Sequence, residues 1–321
     1  GLDRQSINLE VQQLSAELDR IGNTTKFNGR NVLDGSFTET FVHVGANSRE
    51  TVRMNVRDSR ASAIGRAAVI TSAAMTTDAL TGIANDLLIN GISIRATGLS
   101  DDQLSTSLRT ASAVAKATAI NALSSFTNVS ARALATSVAG LAAGVGGGTL
   151  DNTNFVTIND VDFSGFSVVA NDADGELRAT INAQFDRTGV LASLNFAQDL
   201  VLTAADGRNI NVVLTGLQAG ATTGLVGANT LSTVELTNAS LDPTLSADIF
   251  VTGVAAQRAS IGFAADVRVT ASQSSSVKTV AVTSRESSNR AIDVLDRALQ
   301  EISDLRSEMG AIQNRFESTV N

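Results

Sequence analysis

The chain has no cysteine, no tryptophan and no tyrosine, and only one proline and one histidine. Without cysteine there is neither a disulfide nor a thiolate metal site. One histidine is too few for a multi-histidine zinc site. That residue, His43, lies between Val42 and Val44 in an alternating stretch, where an exposed structural residue is expected. No run of about 18 apolar residues is present, so no membrane-spanning helix is expected. Positive charge is also short: Lys and Arg number 24 against 32 Asp and Glu, for a net charge of −8. Nucleic acid and anionic membranes are therefore poor partners, because both are held by clustered cations. Phenylalanine, at 12 residues, is the only aromatic left to stack on a sugar ring.

What is present is a long, aliphatic chain. Its 321 residues, 43% hydrophobic, suffice for two or three domains with real cores. The first 21 residues place Ile7, Val11, Leu14, Leu18 and Ile21 at steps of four and three, the a/d spacing of a coiled coil. Gly22 and Asn23 supply a stop. The last 33 residues repeat the design: Ile292, Leu295, Leu299, Ile302, Leu305, Met309, Ile312 and Phe316 form a seam with one residue missing between Ile302 and Leu305. Ser287, Ser288 or Asn289 is the expected cap. Glu301 falls off this seam. Two seamed helices at opposite ends of one chain are most simply partners in a stem.

Between them, Thr38–Val44 and Glu50–Val56 alternate as a β-hairpin, with Val42, Val44, Val52, Met54 and Val56 on one side and Gly45-Ala46-Asn47 as turn. From about Gly65 to Ser276 charge thins and small residues dominate. A strand-helix-strand unit occurs twice: LLINGISI (87–94), ATAINAL (117–123) and TNVSARAL (127–134), then FVTINDVDF (155–163), ATINAQF (179–185) and TGVLASLNF (188–196). The second continues into DLVLTAADGRNINVVL (199–214), read as two strands joined by an Asp-Gly turn. Gly140–Gly148 reads as a flexible connector, since it lacks the Lys and Ser/Thr of a phosphate loop. The acidic run Asp172-Ala173-Asp174-Gly175-Glu176, with Asp160 and Asp162 nearby, fails the calcium-loop register, which would put Ala170 and Ile181 at its acidic ends. An acidic turn is expected instead. No catalytic, cofactor-binding or metal residue is assigned, and no cofactor.

The two ends resemble bacterial flagellins. RIGNTTKFNGRNVLDG (20–35), FVHVGAN (41–47) and DSRASAIG (58–65) are similar to the stretch leaving that family's first core helix. NRAIDVLDRALQEISDLRSEMGAIQNRFESTVN (289–321) is similar to its C-terminal core helix, most clearly in GAIQNRFEST (310–319). The INGISI and ATINAQF units resemble a short repeat of flagellin and hook-protein insertions. The resemblance implies a structural, non-enzymatic filament subunit, secreted by flagellar type III export. Its partners would be other flagellin subunits and the export and capping proteins. It also implies helical polymerising segments before Gly1 and after Asn321, so the chain as it stands should be monomeric. Among positions where the family is sensed by an animal innate receptor, only Glu10 matches.

The fold class expected is α+β: paired N- and C-terminal coiled-coil-like helices with a β-hairpin, in an elongated molecule carrying an inserted mixed α/β outer region. The core domain would be residues 1–64 and 277–321. The outer region would be 65–276, in two lobes at about 65–140 and 149–276. The competing function is a cell-surface adhesin or polysaccharide-binding protein, with a surface glycan as partner.

Overall fold

A computed structural model describes residues 2–38, 40–43, 51–140, 144–238, 248–271 and 275–320. In chain order the elements are α1 (Leu2–Thr24), β1 (Lys26–Phe27), β2 (Arg30–Asn31), β3 (Thr40–His43), β4 (Thr51–Met54), β5 (Ala68–Thr71), β6 (Leu87–Ile89) and β7 (Ile92–Ser93). Next come α2 (Ala113–Asn121), α3 (Ser124–Thr127), β8 (Val129–Ala133), β9 (Thr136–Ala139), β10 (Gly148–Leu150), β11 (Phe155–Ile158), β12 (Val161–Phe163) and β13 (Phe166–Val168). Then follow α4 (Glu176–Ala183), α5 (Phe185–Thr188), β14 (Leu191–Leu194), β15 (Leu200–Ala204), β16 (Ile210–Thr215), α6 (Ala219–Thr223), β17 (Ala228–Thr230) and β18 (Val234–Asn238). The chain closes with β19 (Ile249–Gly253), α7 (Ala255–Ser260), β20 (Val267–Val269) and α8 (Arg285–Val320). It divides into two compact units, one of residues 1–68, 238–248 and 270–321, the other of residues 69–237 and 249–269.

The first unit holds both long helices. Its core gathers Ala61, Ile64, Val277, Val280, Ala291, Val294 and Ala298, with Val11, Leu18, Val282 and Ile302 against it. A second cluster joins Phe37, Val56 and Leu305 to Val32, Leu33 and Met54. The hairpin pairs Val42 with Val52 and Thr40 with Met54, so Met54 and Val56 face inward together as the alternation requires. Val44 and the turn Gly45-Ala46-Asn47 lie outside the described residues, and so does the side chain of His43. Helix α8 starts four residues before the expected Asn289. Ser284 Oγ accepts from Ser287 N–H at 3.0 Å while Ser287 Oγ accepts from Ser284 N–H at 2.9 Å. This reciprocal box satisfies two donors at once, which a lone cap at Ser287 to Asn289 cannot do.

The second unit is built of short antiparallel sheets. Two have four strands, β12-β11-β16-β17 and β20-β19-β6-β7, and two have three, β14-β15-β9 and β5-β18-β8; β10 pairs β13. Strand pairing runs across the glycine-rich stretch in both directions, β9 to β15 and β19 to β6. That stretch is not a loose connector where it is described. Val145 is fully buried, Gly146 N–H bonds Ala221 O at 3.1 Å and Asn171 N–H bonds Val145 O at 2.7 Å. A Cβ on Gly146 would meet Ala221 O at 2.5 Å, so glycine is there to let two backbones touch. The Asp206-Gly207 turn does not make a hairpin either. β15 and β16 enter different sheets, because the five residues between them turn a corner and Gly207 packs on Ala133 and Leu134.

Candidate assembly surface

Burial does not follow the two seams. Of the α1 series, Val11 and Leu18 enter the core while Ile7, Leu14 and Ile21 are exposed, Leu14 at 64%. On α8 the buried positions are Ala291, Val294, Ala298 and Leu305, with Ile302 beside them. Their steps of three, four, four and three make one unbroken helical stripe. Ile292, Leu295 and Leu299 lie off it and are exposed, Leu299 at 66% against 8% for Leu305, while Met309 continues the stripe and is exposed beyond its buried part. The interruption read between Ile302 and Leu305 therefore comes from joining two stripes on different faces. The Phe316 side chain lies outside the described residues.

Different partners explain the split. α1 rests on the 58–64 segment and on the chain entering α8. Asp19 Oδ1 accepts from Ala61 N–H at 2.8 Å, and Asn8 Oδ1 accepts from Val282 N–H at 3.0 Å. α8 holds the peptide of Gly65: Glu301 accepts its N–H at 3.1 Å and Arg297 Nε donates to its carbonyl at 3.3 Å. Gly65 has φ +72°, and a Cβ there would meet Val294 O at 2.8 Å. Glu301, silent in the seam reading, is thus a structural contact, and burial raises its pKa above the usual carboxylate value. It lines a cleft of about 240 Å³ with Arg57, Asp58, Ser59 and Arg66.

The acidic run in the second unit is spent on backbone and arginine. Asp172 is buried, pairs with Arg178 Nε at 2.5 Å and accepts from Leu177 N–H at 3.0 Å. Asp174 accepts from Glu176 N–H at 3.2 Å and Asp162 from Thr157 Oγ1 at 2.7 Å; Asp160 occupies a left-handed turn. Among the described residues no three His, Cys, Asp or Glu side chains are grouped as a metal site, and no helix is long and apolar enough to cross a membrane. Missed in the sequence were the asparagines that pin the strand-helix-strand units, although each unit advertises them as two Ile-Asn pairs, 89–90 with 120–121 and 158–159 with 181–182.

Comparison with known proteins settles the lineage. Residues 1–38 match the bacterial flagellin N-terminal helical region, and residues 156–206 match the flagellin hook IN motif. B-type flagellin of Pseudomonas aeruginosa is 30% identical over 339 residues, covering 99% of this chain and 66% of that protein. Flagellin B of Helicobacter pylori is 29% identical over 355 residues, covering 99% and 68%. The chain belongs to the bacterial flagellin family. Flagellins are structural proteins of the flagellar filament, not enzymes. The chain spans about two thirds of the length of these flagellins. A solved structure of FliC from Burkholderia pseudomallei aligns over 98% of this chain and 85% of its own, with 14% identity and a TM-score of 0.33. The two exposed apolar stripes thus stand on the flagellin helices, the first of them inside the matched N-terminal region.

Proposed function

We infer that this flagellin works as a structural subunit of an extracellular bacterial flagellar filament, and that its helices supply the subunit contacts. The supporting observation is the exposed apolar series Ile7, Leu14 and Ile21 on α1 and Ile292, Leu295 and Leu299 on α8. Helix stripes left in water are costly, and a coiled-coil-like partner helix from another part of the assembly would cover them. In this reading residues 1–64 and 277–321 are the filament core and 65–276 an inserted region facing solvent. Export by the flagellar type III route and handling by export and capping proteins go with the family. Electron microscopy of the full-length parent protein under polymerising conditions tests the reading: long helical filaments are expected, and only soluble protomers would overturn it.

A second reading, an adhesin for surface glycans, is favoured by one observation. Phe196 and Leu217 stand wholly exposed on loops of the second unit, and an exposed ring is the one sugar-stacking platform this sequence offers. Saturable binding to a glycan array, lost in Phe196→Ser, would support it.

A further inference from the structure

The second unit contains one body described twice. Asn121 bonds Ala131 through both amide atoms, Nδ2 to the carbonyl at 2.8 Å and Oδ1 from the N–H at 2.7 Å; Asn182 does the same to Ala192 at 3.1 and 2.7 Å. Asn90 donates to Thr127 O and accepts from Phe250 N–H, while Asn159 donates to Thr188 O and accepts from Asn211 N–H. Both asparagines have left-handed φ. Thr127 and Thr188 each accept the N–H two residues on, at 3.1 Å. The sheets correspond strand for strand, with β20-β19-β6-β7 matching β17-β16-β11-β12 and β5-β18-β8 matching β9-β15-β14. Registers agree as well: Ile89 pairs Val251 where Ile158 pairs Val212, and Ile249 pairs Val269 where Ile210 pairs Thr230.

We propose that residues 69–134 with 234–237 and 249–269 are a second copy of the body formed by residues 136–230, and that the latter is nested in the former at a single loop. That loop has its counterpart in the enclosed copy. Leu134 N–H bonds Thr233 O at 2.9 Å on leaving β8, as Asn195 N–H bonds Asp199 O at 3.0 Å on leaving β14. Where the enclosed copy has only Phe196, Ala197 and Gln198, the enclosing copy carries residues 135–232. The matched hook IN motif, 156–206, thus marks one of two such motifs; the other is interrupted after β8. The enclosed copy has its own core, Val138 to Leu225, drawn wholly from within itself. Contacts between the copies include polar ones, Asn209 to Ser105 and Ser107 and Asn229 to Ser107. Ser232 Oγ also donates to Leu134 O, and a segment whose two ends are held side by side in this way can be inserted or removed at little entropic cost. By the same correspondence the Asn195–Asp199 loop, with Phe196 fully exposed, is the port at which a further body can be carried.

Two variants of the full chain test this. In one, residues 135–232 are replaced by Phe-Ala-Gln, with Leu134→Asn and Thr233→Asp to rebuild the enclosed copy's brace, in which Asn195 Nδ2 donates to Asp199 Oδ2 and Asn195 Oδ1 accepts from Asp199 N–H, both at 2.9 Å. It should unfold cooperatively. In the other, a small folded reporter domain is placed between Phe196 and Ala197. The melting temperature of the chain should stay within about 4 °C of the parent's. The same reporter between Asn159 and Asp160, inside the pinned turn, should abolish cooperative melting. Loss of cooperative folding on excision, or equal damage at the two insertion points, would overturn the nesting.

Discussion

At the scale of single residues the least expected feature is Lys116, a lysine with no exposed surface in an alanine-rich helix. Its ammonium donates to Ser260 O at 2.6 Å and Thr76 O at 3.2 Å, tying α2 to two separate segments. Burial lowers its pKa from 10.5 to about 8. The unfolded chain therefore holds more protons than the folded one between those values, and stability should rise as pH goes from about 8 to 10.5. The relief is on the order of 3 kcal/mol. Urea titrations across that range should show the rise in the parent and not in Lys116→Met. The asparagine pins give a second expectation. Asn121→Ala and Asn182→Ala each strand a buried strand N–H and carbonyl, so each should cost about 1–3 kcal/mol in denaturant unfolding; no loss in either would remove the pins as a cause of the shared fold. Lys116 was invisible in the sequence because nothing local marks a lysine as buried. The asparagines were visible as repeated Ile-Asn pairs but carried no sign that their partners lie ten residues on.

Among elements, both terminal helices, the 38–56 hairpin and the paired strand-helix-strand units were legible, since each rests on a local period. What was not legible is which of two adjacent apolar stripes on α8 is buried. Ala291, Val294 and Ala298 are small and easily passed over, while Ile292, Leu295 and Leu299 read as the stronger seam. The partner decides, and here it includes a close-packed backbone segment around Ala61, Ile64 and Gly65 as well as Val11 and Leu18 of α1, so small residues are selected where the backbone approaches. Leu305→Ala should therefore cost about 2–5 kcal/mol, and Leu299→Ala less than about 0.5 kcal/mol. Equal shifts in a denaturant titration would restore the original seam. The glycine run was misjudged for a related reason: glycine permits both looseness and close backbone approach, and only tertiary context separates the two.

Across the whole molecule, the sequence displayed an inserted, small-residue middle between charged helical ends, and the family match agrees with those ends at residues 1–38. The nested connectivity was hidden because linear reading assigns neighbours in sequence to one body, whereas β18 and β19 return to strands laid down before residue 134 and β20 adds to β19. Function at this scale depends on surfaces a protomer leaves uncovered. The most direct test uses the full-length parent protein carrying Leu14→Ser with Leu299→Ser, compared with Phe196→Ser. Both proteins should keep the parent's helical circular dichroism, because all three side chains are exposed. Under polymerising conditions, electron micrographs should show filaments for Phe196→Ser and none for the doubly substituted helices. Normal filaments from the Leu14→Ser, Leu299→Ser protein would contradict the assignment of the exposed stripes to subunit assembly.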